Sequence, residues 1–331
     1  MPAPRPSEPA AVAPALAQAP VLAHVVRCAV VENVHHGVVA VTSPEGGLAE
    51  AWGDPSAAMF PRSANKPLQA VGLLEAGLTL PSEHLALACA SHSGERIHLD
   101  GVRAMLAAAG LGEGDLRNTP GYPVDPVAHE AWVRAGHGPV AITQNCSGKH
   151  AAMLATAASR GWDLDTYLDP GHPVQQAVTA AVQRLSGGTV TTVAIDGCGA
   201  PLHAIPLVAL AGAFGRLAAA RPGTPEGLVA DAMRARPDLV GGTGRQVTLL
   251  MRETPGLVAK DGAEGVYAVG LPDGRGVAVK IADGNSRAKA VVLAAVLRHL
   301  GAVPDTTYRA LSDAPVLGHG EPVGSVLAVG I

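Results

Sequence analysis

The chain has 331 residues, 48% of them hydrophobic and 16% charged, and a formal net charge of −4, with an isoelectric point of about 6.3. That length supports one large domain, or two closely joined ones, with a substantial core; the mild acidity excludes the basic face on which a nucleic-acid binder relies. With 40 glycines, 27 prolines and only 3% aromatics, many tight turns and a core of Ala, Val and Leu are expected, and small polar ligands suit the chain better than large flat ones.

Residues 1–22 are rich in Pro and Ala. Prolines interrupt every apolar run there, and no basic region precedes a hydrophobic stretch of signal-peptide length, so the segment reads as a disordered tail. Residues 24–31 and 37–42 are valine-rich and flank a polar stretch, 32–36, which predicts a β-hairpin. A Pro-Arg-Ser turn at 61–63 leads into a segment whose Leu68, Val71, Leu74 and Leu78 recur at helical spacing. From about 85 to 244 helical patterns dominate, at 99–109, 128–135, 150–159, 174–185, 206–219 and 227–235. A short apolar strand at 190–195 interrupts them.

Strands return at 258–260, 265–271 and 276–281, joined by Gly-rich turns, and a helix is predicted over 287–300. The fold class read from this order is α/β in the α+β sense: a mostly antiparallel sheet made from both chain ends, flanked by helices, with an inserted helical subdomain. A single domain over 23–331 follows, its sheet-containing part at 23–80 and 250–331 and its mainly helical part at 81–249. Nowhere do 18 apolar residues run without a charge, Gly or Pro, so no membrane span is predicted. The four cysteines, Cys28, Cys89, Cys146 and Cys198, are too few for a disulfide framework in a chain this long, which points to a reducing, cytoplasmic setting.

Five short motifs carry chemistry. Ser63-Ala-Asn-Lys66 opens a helix, and residues at i and i+3 share a face, so the Lys66 amine can reach the Ser63 hydroxyl. A serine needs a base before it attacks, and a lysine serves only when burial or a neighbouring cation lowers its pKa; a capping serine with a surface lysine is the bland alternative. The second motif, Ser91-His-Ser-Gly-Glu95, is a polar cluster at the end of an apolar run, suited to a proton relay or a substrate contact, or simply to a capped loop. In the third, Gln144-Asn-Cys-Ser-Gly-Lys-His150, Cys146 and His150 stand at i and i+4, the spacing of a metal pair or a thiolate–imidazole pair. The four Cys/His ligands usual in structural zinc sites are missing from it, and a capped helix start with a buried thiol is the plain reading.

In the fourth, Asp196-Gly-Cys-Gly199, glycines let the backbone turn sharply and approach a ligand. Asp196 can orient a cationic amine, and Cys198 can supply a second sulfur or pack beneath the loop. The fifth is Lys260-Asp-Gly262, preceded by the glycine-rich 239–245. A lysine on a short strand followed by x-Gly resembles the element that accompanies S-x-x-K in serine β-lactamases. Lys280, on the next strand, reads as an ordinary buried stem with its head at the surface.

Together the stretches PRSANKPLQA, ALACASHSGE, NCSGKHAAML, LDPGHPVQQAV, DGCGAP, DLVGGTGR and AKDGAEGVYAVGL resemble the Rhizobium-type L-asparaginases, the asparaginase II family, in that family's order across residues 25–285. The resemblance implies a fold similar to serine β-lactamases and glutaminases, and hydrolysis of L-asparagine to L-aspartate and ammonia. It implies two Ser–Lys pairs, Ser63 with Lys66 and Ser91 with Lys260, and a zinc ion held by Cys146, Lys149 and Cys198. Asp196 is then expected to contact the substrate's α-amino group and Arg62 its α-carboxylate, in a homodimer. Cys28 and Cys89 match no metal motif and are expected in the core; Asn65 has no role carried over.

Rival readings are a glutaminase or a penicillin-recognising serine hydrolase of the same architecture, a non-catalytic amino-acid or zinc binder, and a cysteine hydrolase using Cys146 and His150.

Overall fold

The computed structural model describes residues 14–188, 190 and 192–331. Its sheet is built from both ends of the chain. Strand β1 (Val21–Arg27) turns into β2 (Val30–Thr42), on which β3 (Leu48–Trp52) folds back. Strands β4 (Val258–Asp261), β5 (Val266–Gly270) and β6 (Gly276–Ile281) form a meander, and β7 (Pro315–Gly318) with β8 (Glu321–Ala328) forms a C-terminal hairpin. The order is β7-β8-β1-β2-β6-β5-β4, with β3 also on β2, and every pairing is antiparallel.

The long β2 serves two half-sheets. Its first residues pair with β1 and are mostly exposed; residues 37–42 pair with β6 and are buried throughout. That switch from alternation to a continuous apolar run is what burial between helices demands. Helices α1 (Lys66–Glu75), α2 (Ser82–Ala88), α3 (Arg96–Ala108), α4 (Ser147–Arg160) and α5 (Pro173–Ser186) make up the helical part, with α6 (Leu207–Ala218) and α7 (Pro225–Ala235) following. Helix α8 (Ser286–His299) returns to the sheet. Both α6 and α8 pack on it, and α6 lies so close that a Cβ at Gly276 would collide with the Ala211 carbonyl. A helix could not approach any other residue type there.

The helices begin and end where local chemistry dictates. The side chains of His172 and Asn285 accept backbone N–H groups at the starts of α5 and α8, and Gly161 and Gly187 close α4 and α5 in the left-handed conformation.

Four expectations change. The hairpin turns at Cys28 and Ala29, both at positive φ (45° and 68°), while polar 32–36 continues the strand on its exposed side; neither turn residue is one of the Asn or Gly types that signal such a turn. Cys28 is therefore exposed and not in the core, whereas Cys89 is fully buried. Of the tail read over 1–22, residues 14–17 form a helical turn, β1 begins at Val21, and Ala19 and Leu22 are core residues; 1–13 lie outside the described residues. Strands β7 and β8 were not expected: each is four to eight residues with little apolar alternation.

Candidate active site

Three pieces of the chain meet at one buried spot. The 3-10 turn Arg62–Asn65 runs directly into α1. Arg62 stands at φ 51°, costly backbone for a non-glycine residue. Its guanidinium is held from two sides: Nε donates to Asp196 Oδ1 at 2.8 Å, and Nη1 lies 3.6 Å from Glu264 Oε1. The segment after β4 seats against this turn. A Cβ at Gly262 would stand 2.7 Å from the Pro61 carbonyl oxygen and 3.2 Å from the Ala64 nitrogen, so glycine permits the close approach that brings the Lys260 strand beside Ser63. Asn65 is fully buried, and neither end of its amide is hydrogen-bonded to the described protein.

The chain after α2 supplies the second serine. Ser91 is 4% exposed, and its N–H donates to Val240 O at 3.0 Å. The Lys66 amine, itself 1% exposed, donates to Ala90 O at 2.5 Å and to Ser91 Oγ at 3.0 Å. The S-x-x-K spacing predicted a contact with Ser63; what joins those two is the Lys66 backbone N–H bonded to Ser63 O. Ser63 is half-buried, and its hydroxyl makes no hydrogen bond among the described residues. The lysine of the first motif thus holds the serine of the second.

Lys260, expected beside Ser91, instead donates to its own neighbour Asp261, at 2.7 Å to the carbonyl and 2.8 Å to Oδ1. Burial lowers the Lys260 amine to about 8, aided by Lys66 and Arg245 and opposed by Asp261. Burial alone would raise the Asp261 carboxyl, but Lys260, Lys289 and Arg245 outweigh it and hold it far below the usual range. Lys280 turns away and caps the carbonyls of Glu264 and Ile281.

The third piece is sulfur-rich. Cys146, Lys149 and Cys198 are all buried, and Lys149 Nζ donates to Cys198 Sγ at 3.2 Å. No disulfide forms. Cys146 Sγ donates to Asn145 Oδ1 at 3.2 Å, and the two neighbouring thiols split in their titration, Cys146 held below its ordinary value and Cys198 held above it. Burial disfavours the Lys149 ammonium, yet Cys198 and Cys146 outweigh it and keep the amine above its usual value. Among the described residues no group of three or more His, Cys, Asp or Glu is placed to hold a metal, so a metal here would need the lysine as third ligand. The donor set fits: two soft sulfurs and one amine meet in a buried spot with one negative charge already favoured.

His150 does not complete it. Its Nδ1 is bonded to the Tyr167 hydroxyl at 2.8 Å, and burial with Lys149 and Lys66 nearby keeps the ring neutral. Its Nε2 is buried without a hydrogen-bond partner among the described residues, and Cys146 Sγ donates to Asn145 Oδ1 rather than to His150.

His92 ties the pieces together. Its N–H donates to Asn145 O at 3.2 Å, Nδ1 accepts from Gly94, and Nε2 meets Ser147 Oγ at 2.8 Å. Glu95 accepts from both the backbone N–H and the hydroxyl of Thr243, at 2.7 and 2.8 Å, which fastens the 241–245 loop to the Ser91 loop. Asp196 lies in the hairpin between Val193–Ile195 and Pro201–His203. Burial opposes its charge, but Lys149 and Arg62 prevail and keep the carboxyl below its ordinary value. His92 was noted only as part of the polar cluster 91–95, and Arg245 and Asp261 only as members of the fifth motif, none with a role of its own.

Two serines, three buried lysines and an ionised carboxylate brought near one another are equipment for attack on a carbonyl and transfer of its protons. The family model described as L-asparaginase II matches residues 23–328, and the chain belongs to that family. Membership places it among the amidohydrolases. Among curated proteins none matches the chain in sequence. Solved structures with which it aligns include a probable glutaminase, at 16% identity over 81% of this chain and 86% of that one with a TM-score of 0.41. Another is a β-lactamase from Mycobacterium bovis, at 16% identity over 80% and 94% with a TM-score of 0.36. At these scores the likeness supports no transfer of function. No helix among the described residues is long and apolar enough to cross a membrane.

Proposed function

We propose that the chain hydrolyses L-asparagine to L-aspartate and ammonia, with Ser63 as the acylated nucleophile. The observation that carries the reading is the 3.0 Å bond between the Lys66 amine and the Ser91 hydroxyl, buried one helical turn from Ser63 in a member of this family. The substrate's α-amino group sits on Asp196 and its α-carboxylate on Arg62, whose guanidinium is presented by that same aspartate.

In the neutral form Lys66 takes the Ser63 proton as the oxygen attacks the side-chain amide carbon. The C–N bond then breaks, and Ser91, hydrogen-bonded to Lys66, passes a proton to the departing nitrogen, which leaves as ammonia. The aspartyl ester on Ser63 is cleaved by water by the same groups in reverse, restoring the serine and releasing aspartate. Lys260 adds positive charge beside the developing oxyanion. Cys146, Lys149 and Cys198 would hold a zinc ion, which with two thiolate ligands would order the pocket. The lysine must shed its proton to bind, so zinc affinity falls as pH falls. A cytoplasmic homodimer completes the proposal, to be checked by sedimentation.

The test is ammonia release from asparagine by wild type and Ser63→Ala. A cooperative catalytic unit that loses its nucleophile is expected to fall by several orders of magnitude, on the order of 10⁴ or more. A fall under about tenfold would move the nucleophile to Ser91. Glutamine and nitrocefin in the same assay separate the glutaminase and penicillin-recognising readings.

A further inference from the structure

Lys66 and Lys260 are both buried at the same pocket, yet their partners differ in charge. The Lys66 amine meets only neutral oxygens, those of Ala90 and Ser91. Lys260 meets a carboxylate, which is itself shared: Asp261 Oδ2 accepts from Arg245 Nη2 at 3.0 Å and faces Lys289 Nζ at 3.7 Å. Lys289 in turn donates to Gly262 O at 2.7 Å. One carboxylate therefore stands among three cations, carried by β4, by the loop before Gln246–Glu253 and by α8. The other titratable groups around it are Lys66 on α1, the Cys89 thiol after α2, pushed up to about 12 by burial, and the buried Tyr267 hydroxyl on β5.

We propose that Asp261 is a positioning residue that keeps Lys260 an ammonium, so that the two lysines divide the work: Lys66 moves the proton, and Lys260 stays a fixed charge for the oxyanion. The assignment rests on the hydrolase reading above. Its physical basis is that a buried ammonium flanked by other cations persists only beside an anion. The main-chain bond from Lys260 to the Asp261 carbonyl also aims the amine. Remove the carboxylate, and burial, Lys66 and Arg245 all act in the direction of a neutral Lys260.

The sign follows. If the ammonium is the working form, kcat falls as pH rises through about 8. In Asp261→Asn this alkaline limb is expected to move down by about one pH unit or more, and Arg245→Gln, which removes a cation, moves it up. Lys260→Arg, permanently charged, loses the limb while keeping measurable turnover. Movement of the acidic limb in Asp261→Asn, or a dead Lys260→Arg enzyme beside an active wild type, assigns Lys260 as a base and overturns the proposal. A second readout needs no turnover: NMR titration of ¹⁵N-lysine-labelled protein, with the Lys260 signal assigned from Lys260→Arg. Lys260 is expected to titrate near 8 in wild type and lower in Asp261→Asn; an unchanged or higher midpoint overturns the proposal. Should Asp261→Asn not fold, the upward shift in Arg245→Gln decides, its absence counting against. A wild type that releases no ammonia from any amide sinks the hydrolase reading, while the NMR titration still judges Asp261.

Discussion

Two regions of the pocket use the same chemical device to different ends. On the sheet side, buried lysines face a hydroxyl and a carboxylate; on the α4 side, a buried lysine faces a thiol pair. Lys66, Lys149 and Lys260 are each no more than 2% exposed. What distinguishes them is the partner: Ser91 for Lys66, Cys198 for Lys149 and Asp261 for Lys260. Burial disfavours the charged form of Lys149 and of Lys260. On the proposed reading, the partner then decides whether the amine serves as a base, a metal ligand or a standing charge.

The comparison is broken most sharply at Lys66. Lys66→Met is expected to lower kcat on asparagine by roughly 10²–10⁴, the range of a lost general base, with zinc content by elemental analysis unchanged; loss of zinc in that variant would show the two regions to be one site. Cys198→Ala tests the other side. Zinc affinity is expected to fall by about a hundredfold or more and activity less steeply, measured by chelator competition alongside ammonia release.

His92→Leu should sharpen the comparison, because the His92 ring joins the Ser91 loop to Ser147 at the start of α4. The lost bond is expected to cost about 1–3 kcal/mol of stability, with activity and zinc retention declining together in the folded protein. If only one declines, His92 belongs to one region. Cys28→Ser is the smallest effect, within about 0.5 kcal/mol, because the side chain is exposed and serine carries the same backbone burden at this positive-φ turn; a large change in thermal midpoint would mean this turn cysteine has a partner.

Much of this was legible in the sequence for physical reasons that can be named. Helices were visible wherever an apolar stripe ran between a cap and a glycine, as in α5 between His172 and Gly187. The three short strands β4 to β6 were visible because burial on both faces leaves a continuous apolar run. The first hairpin was misplaced because Cys28 and Ala29 adopt positive φ without the residues that favour it, and because polar 32–36 lies on a strand with one side in solvent.

At the site, the contacts differ from the pairs expected: Lys66 meets Ser91, and Lys260 meets Asp261. Helical spacing speaks of backbone neighbours, whereas a lysine stem long enough to cross the pocket chooses its partner in three dimensions; Lys66 reaches Ser91 across 25 residues. The roles of Arg245 and Lys289 were beyond reach for the same reason, since both meet Asp261 only after the loop and α8 have packed.

The order of strands has a consequence for how the molecule is made. Ala23 pairs with Ala328, and Gly37–Thr42 with Gly276–Ile281. The opening hairpin is thus synthesised well before its outer neighbours, which follow roughly 230 to 300 residues later in the chain, a delay of roughly tens of seconds at ordinary translation rates. Until then its valines stand without a sheet, so the polar and glutamate-bearing stretch along the outer half of β2 guards the nascent chain against pairing with another copy.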